Sequence, residues 1–506
     1  MNKTILIGLD GATWNNLMPW IKQGELPFFK KIIEKGVHGI NQTTIPCQTS
    51  PAIPSFYTGL QPTKTKTFGF RKYDGKIISS RDIKGKRLWD IIGENNYKSF
   101  VSGLRTTYPP KIKNGVLISS ILVPSEDSDF VYPVSEKKYF KDFLENEIGL
   151  KKRKNLKKNN RPKLLQIIIK ITKNQIDLIN KYIEKKDFDF ILIYFGVTDS
   201  TQHALWNSQN LILKLYKFLD KEIRQLNEKY PKHNFLFFSD HGFGKSPEKA
   251  FYINKWLSDK QYLFYKNKLT KTLGSIFKKA YYKIGLWMEN SLPQPIYRKI
   301  YSLVKKGSRK EKSPINIDPI ETDTMFLNMK KTKAYLDQKW GIKIIRKNVN
   351  NYEKFRNKLM EEIIKIKDKK GNKIFKEVHK KEELYKNADK YDIIPDIIVT
   401  LNQEYEFRTG YNKKIIETLK VKRGVEGSHE YQRNAVFMAY GPDIKKGKAN
   451  IEIYDIAPTL LHMYNIPISK EMDGKVLKEI FKKNSEPGKR NVKYKKEKGV
   501  INDIKI

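Results

Sequence analysis

The 506-residue chain is predicted to be an α/β protein built on a mostly parallel central sheet, with helical insertions and a smaller cap region. Three observations predict it. Apolar, β-branched or aromatic runs of strand length (ILIGLD, FILIYFGVTD, NFLFFSD) are separated by stretches of helical period. Residues 87–119 show a helix followed by two short strands at αβ spacing. The long apolar runs also end in acidic residues and histidines, where open α/β sheets place their ligands.

Taken in order, the short apolar run ILI passes directly into Gly-Leu-Asp-Gly. It reads as a first core strand, because a signal peptide needs a charged start, a longer apolar run and a small-residue cleavage site. An amphipathic helix is expected from about Pro19 to Lys35, ending at Gly36. Residues 39–73, rich in Thr, Ser, Pro and Gly, read as an active-site loop entering a helix. A Lys-rich helical insertion spans 136–186, with LKKRKNLKKNNRPK as an exposed connection. A second insertion spans 251–323, and its aromatic residues interleave with lysines. A helical cap packed on the core is the favoured reading there, with an amphipathic surface for membrane or partner binding as the alternative.

Residues 324–424 read as strands and a helix that cap or extend the sheet, and AVFMAYGP with IYDIAPTLLHMYNI completes the core. The catalytic core is therefore assigned to 1–135, 187–250 and 425–480. Residues 481–506, charged and without apolar periodicity, are expected to be disordered.

The formal charge of +44 would ordinarily point to nucleic acid or anionic membrane. Here the excess is mostly lysine, spread without an RNP, zinc-finger or arginine-rich pattern, so no specific nucleic acid is expected. A solvated Lys-rich surface is the first reading. Attraction of phosphate-bearing substrates and peripheral contact with anionic membrane are the alternatives. Stretches such as LLQIIIKIT are interrupted by Lys and fall short of the roughly 20 apolar residues of a membrane-spanning helix. The single cysteine, Cys47, allows no internal disulfide and fits a reducing compartment, so a soluble cytoplasmic protein is expected.

The chemistry is carried by a few side chains. Asp10 follows the first strand and precedes a glycine. Asp199 and His203 are four apart, the spacing that puts both on one helix face, while Asp240 and His241 follow FLFFS and precede Gly242. His429 stands in GSHEYQ. Hard oxygen and imidazole ligands of this kind suit two divalent cations about 3.5–4 Å apart, bridged by a transferring phosphoryl group. Each piece has a plainer reading taken singly, such as an N-cap aspartate or a buried structural histidine.

In combination, the order Asp, a Thr/Ser-Pro loop, Asp-x-x-x-His, Asp-His-Gly and a late His resembles the alkaline phosphatase superfamily. The similarity is greatest to its type I phosphodiesterase/nucleotide pyrophosphatase branch and to cofactor-independent phosphoglycerate mutase. Further similarity runs through TSPAIPSFYTGLQP, FYINKWL, PDIIV, AYGPDIKKG and MDGKVL. The resemblance implies an alkaline-phosphatase-like three-layer sandwich. It implies one metal site from Asp10, Thr49, Asp240 and His241, and another from Asp199, His203 and His429.

It also implies that Thr49 is the nucleophile, with Ser50 as the competitor; an unactivated hydroxyl is a poor nucleophile, and metal coordination is the natural activator. The plainer role for Thr49, capping the helix before Pro51, is compatible with this. A sulfatase pattern is disfavoured, since neither Cys47 nor Ser50 is followed by x-Pro-x-Arg. Relatives tend to carry His-Gly where this chain has Thr65-Lys66, a departure that bears on substrate contacts.

His38, His233, His379 and His462 lack such context and read as surface or packing residues. The expectation is a two-metal phosphohydrolase or phosphodiesterase working through a phospho-threonine, with Zn or Mn as the ions. The alternatives are a phosphomutase or phosphotransferase on the same site, or an inactive basic membrane- or nucleic-acid-binding protein.

Overall fold

The structure is a computed structural model that describes residues 2–72, 76–120, 122–125, 127–141, 143–144, 160–266, 326–408, 412–419 and 426–496. Residues 150–159 of the basic connection expected at 150–163, and residues 267–323 of the second insertion expected at 251–323, lie outside the described residues. The chain divides into two compact units: residues 1–70, 78–246 and 422–506, and residues 71–77 and 247–421.

The first unit is built on ten strands: β1 Thr4–Leu9, β2 Val37–Gln42, β3 Ser99–Ser102, β4 Gly115–Ile118, β5 Val131–Tyr132, β6 Phe190–Phe195, β7 Asn234–Phe238, β8 Asn434–Tyr440, β9 Gly447–Lys448 and β10 Ile451–Glu452. They pair in the order β9-β2-β8-β7-β1-β6-β3-β4-β5, with β10 also on β2. The central run β7-β1-β6-β3-β4 is parallel throughout, and antiparallel pairs occur only where β8 and β5 join.

Alternation along the strands explains why helices cover both faces. In β1, Ile5, Ile7 and Leu9 enter one core while Leu6 enters the other. The first core is closed by α1 Trp14–Lys22, α2 Pro27–Lys35, α5 Arg161–Ile183 and α7 Gln209–Lys229. The opposite core is closed by α3 Thr49–Thr58, α4 Leu88–Glu94 and α8 Ile456–Met463. A shorter helix, α6 Val197–Leu205, follows β6. The result is the expected three-layer α/β sandwich on a mostly parallel sheet.

Two local expectations are corrected. The single helix predicted over Pro19–Lys35 is two, α1 and α2. Pro27 starts the second, and its first N–H groups, which have no partner within the helix, are capped from a distance: Asp220 on α7 accepts from Phe28 and Phe29 at 3.1 and 2.8 Å. The charged stretch expected to be disordered is ordered through residue 496. Tyr494–Lys495 pairs with Ile468–Ser469, and Pro487 and Gly488 offer carbonyls to His462 and Lys478. Its order comes from main-chain contacts to the core, which apolar periodicity does not report.

In the second unit, Ala334–Gln338, Gly341–Ile344, Ile397–Leu401 and Phe375–Lys380 form an antiparallel sheet of their own, accompanied by helix Tyr352–Ile364. Lys249–Phe251 is the middle strand of a separate three-stranded sheet. Among the described residues no helix is long and apolar enough to cross a membrane.

Candidate metal centre

The parallel strands β1, β6 and β7 end side by side and deliver the site from their carboxyl ends. Asp10 directly follows β1, Asp199 lies in the first turn of α6 just beyond β6, and Asp240 and His241 follow β7. The turn after β1 needs its glycine: Gly11 sits at φ 67, and its N–H donates to Asp240 Oδ1 at 3.2 Å. Gln202 holds that turn from α6 by donating to the Gly11 carbonyl at 2.8 Å. Thr198 Oγ1 donates to the Asp10 carbonyl at 2.6 Å.

The three predicted histidines are oriented alike. His203 Nδ1 donates to the Gly427 carbonyl at 2.8 Å, His241 Nδ1 to Gly242 at 3.0 Å and His429 Nδ1 to Cys47 at 2.9 Å. A carbonyl can only accept, so each Nδ1 carries a hydrogen and each ring turns its Nε2 inward. The rings are close neighbours: His241 stacks on His429 at 4.1 Å, and His203 meets His429 edge-on at 5.2 Å. Phe243 stands against His203 as an apolar wall.

The carboxylates face those nitrogens. His241 Nε2 is 3.5 Å from Asp10 Oδ1 and 3.4 Å from Asp240 Oδ2, and neither fully buried oxygen accepts a hydrogen bond. Buried carboxylate oxygens that accept no hydrogen bond, set around an imidazole nitrogen, suit a cation placed between them. Ligand atoms of Asp199, His203 and His429, and of Asp10, Asp199 and His241, each gather within 4.8 Å, so Asp199 belongs to both groups. The donor set therefore fits divalent metal.

Thr49, the first residue of α3, places Oγ1 3.2 Å from His241 Nε2. Its predicted capping role is not realised: Gln48 occupies the N-cap position, and its side chain makes no capping hydrogen bond. The neighbouring Ser50 hydroxyl is buried and makes no hydrogen bond. All seven sequence-predicted site residues thus lie together.

The electrostatics reflect a crowded anionic pocket. Burial pushes the Asp10 carboxyl well above the usual carboxylate range; Arg105 opposes this, and Asp240 and Asp199 add to it. Burial also acts to raise Asp199, but its hydrogen bond and charge contact with His203, and then Arg105, hold it well below that range. Burial lowers the His203 imidazole, yet Asp199 outweighs it and the net shift is upward. Burial and the adjacent His241 push His429 down to about 3.

Arg105 was not anticipated. Its Nη2 lies 3.0 Å from Asp10 Oδ2 and 3.4 Å from Asp199 Oδ2. The available signal was its place just past the strand SFVS. Lys66 keeps a left-handed backbone at φ 60, a conformation that favours glycine. The other histidines are elsewhere; His462, for example, is tied to the Pro487 carbonyl at 2.8 Å.

Residues 4–432 match the type I phosphodiesterase / nucleotide pyrophosphatase family. The chain belongs to that family. Membership makes it a phosphoric ester hydrolase by class. Among solved structures, human ectonucleotide pyrophosphatase / phosphodiesterase 5 is similar at 15% identity and a TM-score of 0.48, over 96% of this chain and 100% of that one. The murine protein is similar at 13% identity and 0.48, over 95% and 100%. Its inactive threonine-to-alanine variant in complex with AMP gives 13% and 0.49 over the same shares. No curated protein sequence matches the chain.

Proposed function

We propose that this protein hydrolyses phosphate esters of small molecules with Thr49 as the nucleophile. Asp199, His203 and His429 would hold one Zn or Mn ion, and Asp10, Thr49, Asp240 and His241 the other. When bound, such ions supply Lewis-acid activation of a hydroxyl and neutralise phosphoryl oxygens. The observation that carries the reading is the set of three imidazoles, each pinned through Nδ1, whose Nε2 atoms converge on buried carboxylates beside a threonine hydroxyl.

In the proposed reaction Thr49 Oγ1 gives up its proton and bonds to phosphorus in line as the bond to the leaving-group oxygen breaks, and that oxygen takes up a proton. Water then cleaves the phospho-threonine, releasing the phosphoryl product and restoring the hydroxyl. Asp10 and Asp240 supply carboxylate oxygens for the cations. Gln202 and Thr198 fix the turn that bears Asp10, and Phe243 packs edge-on against the His203 ring.

The test is turnover of bis-p-nitrophenyl phosphate and p-nitrophenyl phosphate with added Zn or Mn and with chelator, for the native chain and Thr49→Ala. Metal-dependent turnover that disappears in Thr49→Ala supports the reading, and the ratio of the two rates separates diesterase from monoesterase. Turnover that survives in Thr49→Ala, or that ignores chelator, overturns it.

A further inference from the structure

We infer that Arg105 is a catalytic residue that grips the non-bridging oxygens of the reacting phosphoryl group; this rests on the hydrolase reading above. The loop that carries it is built for placement. It leaves the carboxyl end of β3, the end at which the metal centre lies, through Gly103 at φ 83, where a Cβ would come within 2.3 Å of the Tyr194 carbonyl oxygen. One residue beyond Arg105, Thr106 is held at φ 65. A β-branched residue in that region is a genuine outlier that costs on the order of 1–3 kcal/mol, and such strain gathers at ligand clamps. Thr107 Oγ1 ties the loop back to the Leu104 carbonyl at 2.8 Å.

The guanidinium has donors to spare. Its Nη2 faces Asp10 and Asp199, while Nε is buried without a hydrogen-bond partner, and the side chain is 11% exposed. Both facing carboxylates belong to the metal-ligand groups. Once they are committed to cations, the arginine fork needs another oxygen acceptor, and a phosphoryl group matches its geometry.

Charge leads to the same place. Asp10, Asp199 and Asp240 set against two divalent ions and Arg105 leave the pocket at plus two. A buried excess of that size calls for an anion, and a dianionic phosphoryl group cancels it. The clamp should therefore matter more for a dianion than for a singly charged diester.

The experiment compares the metal-loaded native protein with Arg105→Ala and Arg105→Lys. It measures metal content by elemental analysis, inorganic phosphate binding by calorimetry, and kcat and KM on p-nitrophenyl phosphate and bis-p-nitrophenyl phosphate. Arg105→Ala should keep its metals, bind phosphate at least tenfold more weakly, and lose on the order of 10²-fold in kcat/KM on the monoester, with a smaller loss on the diester. Arg105→Lys, which keeps the charge but not the fork, should recover part of both losses and guards against a folding defect in the alanine variant.

Unchanged phosphate affinity with metals retained overturns the inference. So does loss of metal in both variants, which would make Arg105 an organiser of the carboxylates alone. If the native protein hydrolyses neither ester, the hydrolase reading fails, while the phosphate titration still decides the role of Arg105.

Discussion

Asp240→Asn should make the metal-free protein more stable and the metal-treated protein less responsive. Asp240 Oδ2 and Asp10 Oδ1 lie 3.4 and 3.5 Å from the same His241 nitrogen, so they are at most roughly 7 Å apart. Two like charges at that limit, at an effective dielectric of about 20, repel by about 2 kcal/mol, and any closer approach raises the figure. The asparagine keeps the acceptor for the Gly11 N–H and can offer its amide to His241 Nε2. In chelator, at a pH high enough to ionise Asp10, the variant should gain about 2 kcal/mol. Metal at a hundredfold excess over its dissociation constant stabilises a native protein by about 2.7 kcal/mol, and much of that gain should vanish. Thermal unfolding of both proteins, in chelator and in Zn or Mn, reads the two effects with opposite sign. A variant less stable than the native chain in chelator, or one with the full metal response, would refute this account of the carboxylates.

Gly103→Ala forces a Cβ against the Tyr194 carbonyl oxygen at a backbone φ of 83, and should cost about 3 kcal/mol or more in a denaturant titration; an unchanged midpoint would contradict the close approach. Asp220→Ala strips two acceptors from the start of α2 and should cost about 2 kcal/mol, with faster hydrogen exchange at Phe28 and Phe29; unaltered exchange would count against the remote cap. Burial pushes the Asp337 carboxyl up to about 6 from 3.8, with Lys343 opposing and Asp396 adding. The folded chain then holds that proton more tightly than the unfolded one, so stability falls as pH rises from about 4 to 6 and the loss is complete above that. Asp337→Asn should be more stable at neutral pH by up to about 3 kcal/mol and equal to the native chain near pH 3; a pH-independent difference would exclude this cause.

What could be read in advance depended on how local the signal was. Strands β1, β6 and β7 are buried on both faces, so they stand out as unbroken apolar runs, and Asp10, Asp199, Asp240 and His241 follow them within a few residues. Thr49 and His429 needed the family pattern, because a hydroxyl before a proline and a histidine after a serine are common. Arg105 escaped because its partner Asp199 is 94 residues away in the sequence, and nothing beside it signals charge pairing. The break between α1 and α2 depends on Asp220, and the order of residues 481–496 on carbonyls offered to His462 and Lys478. Such long-range contacts leave no periodic trace.

The anchoring of the three imidazoles has a bearing on how this site can drift. Their outward nitrogens rest on the peptide carbonyls of Cys47, Gly242 and Gly427, not on side chains. A carbonyl is present whatever residue bears it, so Cys47 can exchange for another small residue without loosening His429. At Gly242 and Gly427 the constraint is room: a Cβ would come within 2.5 Å of the Asn434 carbonyl oxygen and of the Phe243 ring, respectively. Lineages of this chain can therefore rewrite much of the lettering around the centre while the imidazoles keep their aim, so long as the path of the main chain is inherited.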